Sequence, residues 1–203
     1  MLNNKDKIRL LFRIGYVYHK AAFDPVIDLL MDNPKYDVWF SLDSERIRRF
    51  GFLDFSYRAP IIKEWERHNY RFTDDTKGFD IVITGDTLRN SADYGKTLLC
   101  FLNHGTGIKN LLYRNLAKVP KDKYQIFVEG PHRLNSLLNS PALGKNEVHL
   151  IGLPKLDYVI QGRYNDKRAL LERWGLNPTR QTVLFAPTYK PTCLYEVKDY
   201  IFE

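Results

Sequence analysis

A chain of 203 residues, 44% apolar and 27% charged, has the make-up of a folded globular protein and excludes an extended disordered one. A formal net charge of +7 points to anionic partners such as polyanions, lipid headgroups or phosphorylated substrates, without choosing among them. Two distant cysteines, Cys100 and Cys193, exclude a disulfide framework, and no stretch approaches the roughly 20 apolar residues of a membrane span.

Taken in chain order, strand and helix patterns alternate. KIRLLFRI (7–14) reads as a buried first strand. Residues 21–31 carry Phe23, Val26, Ile27 and Leu30 at helical spacing, ending at the breakers Asn33 and Pro34. YDVWFSL (36–42) is a second strand, and SERIRRFGF after it reads as a short basic helix capped by Asp43 or Ser44. PIIKEWERHNYR (60–71) reads as a surface helix with Pro60 in its first turn. FDIVITG (79–85) and TLLCFLN (97–103) are buried strands separated by the polar loop DTLRNSADYGK. A helix over 107–117, the strand YQIFVEG (124–130), a helix over 131–138 opened by Pro131, and the strand VHLIGLP (148–154) follow. Residues 165–174 form an amphipathic helix with Asn165 as cap, and TVLFAPTY (182–189) reads as one more strand.

Apolar strands alternating with helices predict an α/β fold with a doubly wound, Rossmann-like parallel sheet covered on both faces. The domain expectation is a Rossmann-like unit over 1–160, a helix and linker over 161–180, and the start of a second domain over 181–203. The last residues complete no βα unit, so the chain is expected to break off inside a longer protein's second domain. The start, MLNNKDKIRLLF, has no secretory signal pattern, and the thiols read as reduced, so a cytoplasmic setting is expected.

FLNHGTGIK (101–109) is the most informative stretch. A strand ends at Asn103, and His104, Gly105, Thr106, Gly107 and Lys109 follow at what should be the carboxyl edge of a parallel sheet, where ligands bind. Glycine lets backbone approach a ligand, and a helix start offers free N–H groups. Lys109 suits phosphate, and an imidazole can take a proton from a hydroxyl near neutral pH. The set fits transfer at a phosphoryl or glycosyl centre. A plain turn, with the glycines serving the backbone, fits the same residues.

FLNHGTGIK resembles the HGT motif of the CDP-glycerol glycerophosphotransferase family of teichoic acid synthesis. GLPKLDYV (152–159) and LFAPTYK (184–190) are similar, in the same order, to that family's Gly-aromatic-Pro-Arg-Asn-Asp and Ala-Pro-Thr stretches. The resemblance covers roughly residues 97–190. It implies a GT-B architecture, with this Rossmann-like domain facing the acceptor and a second domain holding CDP-glycerol or a similar nucleotide-activated donor. It implies that His104 is the catalytic base, with Gly105 and Thr106 binding beside it. Pro154 and Asp157 would belong to the interdomain region, and Pro187 and Thr188 to the start of the donor side. The acceptor would be a polyanionic or lipid-linked polymer. Since the donor-side residues are missing, the chain alone is expected not to turn over. The sequence departs from the family pattern at Asn103, at Gly107 and Ile108, at Leu153 and at Leu156.

By fold analogy, His19 in GYVYHK lies on the loop after the first strand and is a candidate acceptor contact beside Lys109; Lys20 has the same status. The alternative for His19 is a surface loop beside a helix start. Asp86 reads as a turn cap or a cleft residue, and Glu129, Gly130 and His132 as another wall of the site. His149 reads as a half-buried strand residue and His68 as solvated. No His, Cys or carboxylate pair has zinc-type spacing, so no metal and no cofactor are expected. Between Lys109 and Arg133 six basic residues face only Asp122 and Glu129, a solvated face that could also lend peripheral contact with the inner face of a membrane. No nucleic-acid motif is present, and no nucleic-acid partner is expected. The competing readings are another GT-B nucleotide-sugar glycosyltransferase or epimerase, and a non-enzymatic basic domain that binds polyanions.

Overall fold

The computed structural model describes residues 7–42, 48–50, 53–55, 58–88, 91–105, 111–118 and 122–184. The chain divides into two units, 1–161 and 162–203.

The first unit is built on strands β1 (Ile8–Ile14), β2 (Tyr36–Leu42), β5 (Ile81–Thr84), β6 (Leu98–Leu102), β7 (Tyr124–Val128) and β8 (Glu147–Leu150). Among the described residues these six form one sheet in the order β2-β1-β5-β6-β7-β8, and every pairing is parallel. The chain steps outward from β1 to β2, returns to the other side of β1 at β5, and then proceeds outward to β8. The order reverses at β1 and β5, which makes the sheet doubly wound with a switch point between those strands.

The helices of this unit are α1 (Val17–Met31), α2 (Arg58–Glu66), α3 (Leu111–Leu116), α4 (Pro131–Leu138) and α5 (Asp157–Ile160), with 3-10 turns at Ser91–Tyr94 and Pro154–Leu156. Side chains alternate across a strand, so each apolar strand feeds both faces. Leu10, Phe12, Ile14, Ile83, Cys100 and Leu102 join Phe23 and Ile27 of α1 and Trp65 of α2 in one core. Leu11, Val82, Leu99, Phe101, Tyr124 and Ile126 join Leu116 of α3 and Leu137 of α4 in the other. This two-sided burial is why the strands are continuously apolar rather than alternating.

Both edges are guarded. Beyond β2, Phe40 N–H donates to the Arg71 carbonyl at 2.8 Å and the Phe40 carbonyl accepts from Thr73 N–H at 2.9 Å, so residues 71–73 add a short parallel bridge. At the other edge β8 is short and only half-buried.

Some sequence expectations need correction. The basic helix over SERIRRFGF is absent at its described positions: Arg48–Phe50 is a strand, β3, paired antiparallel with β4 (Leu53–Phe55). A cluster of aromatics around a glycine favours strand over helix, and the charge pattern was a weaker guide. Helix α1 starts at Val17 rather than residue 21 and accommodates Pro25 inside it. In the second unit, helix α6 (Lys167–Arg173) is capped by Asp166, whose Oδ1 accepts from Ala169 N–H at 2.9 Å, and not by Asn165. Residues 181–184 are not in a strand; the rest of the segment 182–189 lies outside the described residues. No described helix is long and apolar enough to cross a membrane.

Candidate functional site

The carboxyl ends of β1, β5 and β6 converge at the switch point. β1 is followed by Gly15 and Tyr16 and then by α1, whose first turn carries His19. β5 is followed by Gly85 and Asp86. β6 is followed by Asn103, His104 and Gly105. The imidazoles of His19 and His104 stand with ring centroids 4.5 Å apart, tilted by 39°. His19 Nε2 lies 3.8 Å from Asp86 Oδ2. One ligating atom from each of His19, Asp86 and His104 can be chosen so that all lie within 4.8 Å of one another.

His19 is therefore neither a surface-loop residue nor open to solvent; it is 0% exposed. Space for it comes from two glycines. A Cβ at Gly85 would meet the His19 ring at 3.0 Å, and one at Gly15 would stand 3.5 Å from its Cε1 and 3.4 Å from Asp86 Oδ2. Neither glycine has positive φ, so volume rather than backbone conformation requires them. Tyr18 closes the group from outside, its ring 4.7 Å from that of His19 and 5.4 Å from that of His104.

Neither ring nitrogen of His19 has a hydrogen-bond partner among the described residues. Burial, with the neighbouring His104 adding to it, pushes its pKa down to about 3. The ring is neutral at physiological pH, so the 3.8 Å approach to Asp86 is not an ion pair. His104 is half-buried, and burial holds its pKa below the ordinary 6.5; Asp86 opposes this shift and the Lys155 ammonium reinforces it. Burial raises the Asp86 carboxyl, partly offset by His104. The result is two imidazoles whose protonation burial disfavours, beside a carboxyl whose ionisation burial also disfavours, with the Lys155 charge acting on the outer ring.

The loop carrying His104 is anchored. Asn103 Nδ2 donates to the Gly105 carbonyl at 2.7 Å and to Glu129, whose other oxygen accepts from Arg133 Nε at 3.3 Å. Glu129 thus braces the loop. Gly105 is half-buried, has no described heavy atom within 4 Å of a built Cβ and no positive φ, so nothing among the described residues demands glycine there.

Of the other residues singled out from sequence, Thr106, Lys109, Pro187 and Thr188 lie outside the described residues. Pro154 is buried where it opens the 3-10 turn that packs against α1, and Asp157 is exposed at the start of α5; both belong to the first unit. Lys20 is half-buried and ion-paired. Burial disfavours its charge, but Asp24 at 2.6 Å holds the ammonium above its usual range, and it lies over the rings of Trp65 and Tyr70. Asp86 donates its N–H to Thr84 Oγ1 at 3.2 Å, and its carboxylate, which accepts no hydrogen bond from a described residue, has Oδ2 3.8 Å from His19 Nε2. His149 is half-buried beside Gln125, and His68 is exposed. Lys155 was missed. It occupies the position of an arginine in the stretch that GLPKLDYV resembles, which is the signal that could have found it.

No protein-family model and no curated protein matches the chain.

Proposed function

We propose that this chain carries the acceptor-side catalytic base of a transferase of the CDP-glycerol glycerophosphotransferase type. In this reading His104 takes the proton from an acceptor hydroxyl. The oxygen attacks the phosphorus that bears glycerol, the bond from that phosphorus to the bridging oxygen breaks, and CMP leaves with that oxygen. The glycerol phosphate is then joined to the acceptor, and the proton passes from His104 to solvent.

The observation that carries the reading is the state of His104: a half-buried imidazole at the carboxyl rim of a parallel sheet, held neutral near pH 7 and so able to accept a proton. Lys155 supports it, since its charge acts on His104 and a cation beside the base suits an acceptor that carries phosphate. Asp86 stabilises the imidazolium once it forms.

Titration of the chain with a short glycerol phosphate oligomer, followed by calorimetry, tests the acceptor half without requiring turnover. Saturable binding is expected, weakened about tenfold by Lys155→Ala, the loss of roughly 1.4 kcal/mol. Absence of binding, or equal binding by that variant, refutes the proposal. With the donor side supplied by a second domain, release of CMP from CDP-glycerol should be abolished by His104→Ala, and unchanged release would refute the base role.

A further inference from the structure

We infer that His19, Asp86 and His104 form a binding site for one divalent transition-metal ion of the zinc class. Two imidazole nitrogens and one carboxylate oxygen are borderline ligands; they suit zinc and its neighbours and do not suit magnesium or calcium, which favour all-oxygen shells. Three protein ligands with the remaining position open to a small molecule is the usual arrangement of a reactive rather than a purely structural zinc site.

Two independent observations carry this. The first is the convergence itself: three ligands from the segments that follow three different strands, with donor atoms all within 4.8 Å. Ligands about 2.0–2.1 Å from a tetrahedral ion stand roughly 3.3 Å from one another. His19 Nε2 and Asp86 Oδ2, at 3.8 Å, are near that spacing already. Asp86, its side chain 43% exposed, has room to close the remainder.

The second is the orphaned state of His19. A fully buried imidazole ordinarily satisfies at least one nitrogen, because leaving a buried polar atom unpaired costs about 1–3 kcal/mol. Here both nitrogens lack a partner among the described residues, and the ring faces His104 and Asp86. The ring fills the space that a side chain at Gly85 would take, 3.0 Å from where a Cβ would stand. An ion is a partner whose chemistry fits a buried imidazole with a nitrogen 3.8 Å from a carboxylate oxygen and a second imidazole ring beside it.

A bound ion would occupy the His104 lone pair, so the base role of the transfer reading belongs to the metal-free chain, and the metal site does not rest on that reading. Lys155 separates the two. Its charge favours an acceptor phosphate and opposes a cation, so Lys155→Ala should weaken glycerol phosphate binding and tighten metal binding.

The test is calorimetric titration of tag-free, chelator-treated chain with Zn²⁺, paired with Co²⁺ absorption in the visible. One ion per chain is expected, with intense tetrahedral Co²⁺ bands. Affinity should fall at least tenfold in Asp86→Asn and in His104→Ala, each checked for native far-ultraviolet circular dichroism, and should rise in Lys155→Ala. His68→Ala should bind as the wild type does. Zero stoichiometry overturns the site, as does binding unchanged by Asp86→Asn and Lys155→Ala, or binding lost in the His68 variant.

Discussion

The group around His19 makes its strongest claims one residue at a time. A histidine whose folded pKa is about 3 and whose unfolded value is near 6.5 resists protonation in the folded state. Its contribution to stability is full above pH 6.5 and is lost as pH falls from there toward 3. At about 1.4 kcal/mol for each pH unit, the loss between pH 7.5 and pH 4.5 is on the order of 3 kcal/mol. Denaturant unfolding at the two pH values should show it, and His19→Phe should remove that part of the pH dependence. Gly85→Ala and Gly15→Ala make a matched pair. The first drives a methyl to 3.0 Å from a buried ring that has nowhere to go and should cost about 1–3 kcal/mol, whereas the second meets ordinary contacts at 3.4–3.5 Å and should be nearly neutral. Thermal melts of the two variants check this; equal losses would mean that the His19 ring is not held as described. Cys100, 7% exposed and with its thiol pushed up to about 11 by burial, should react slowly with iodoacetamide at pH 8 until the fold is denatured.

Between residue and fold stand the devices that hold each element in place. The start of β7 is pinned by Asn146, 5% exposed. Its Oδ1 accepts from the N–H groups of Lys123 at 2.9 Å and Tyr124 at 2.8 Å, and its Nδ2 donates to the Leu143 carbonyl at 2.9 Å. Asn146→Ala strands buried donors and should lower stability by about 1–3 kcal/mol, read from the denaturant midpoint at unchanged slope. Tyr124, buried in the same strand, accepts from Leu88 N–H through its hydroxyl at 2.9 Å and so ties β7 to the loop after β5. None of these bonds could be read from the sequence, because Asn146 and Leu88 look like ordinary loop residues. The elements themselves were largely legible. The bounds of β2 and α4 agree with the sequence reading, since a continuous apolar run and a proline at a helix start are local signals. Local signals failed where the charge pattern of RIRR competed with the aromatics beside it.

At the scale of the molecule, nearly all of the buried apolar side chains among the described residues belong to 1–161; among the described residues of 162–184, Leu171 is the buried apolar side chain. A fragment ending at Gln161 should therefore unfold cooperatively, with its melting temperature close to that of the full chain; a non-cooperative melt would show that the division is not one of stability. The sequence by itself determined the class of fold, because burial on both faces demands apolar strands and amphipathic helices that any window of ten residues reveals. It also singled out His104, because an imidazole beside glycine at a strand's end is a local pattern. Only the tertiary structure decided that His19 and Asp86 stand with it. Those two residues are 67 positions apart, and their meeting depends on β5 returning to the flank of β1, a strand order set by long-range packing and by no local spacing.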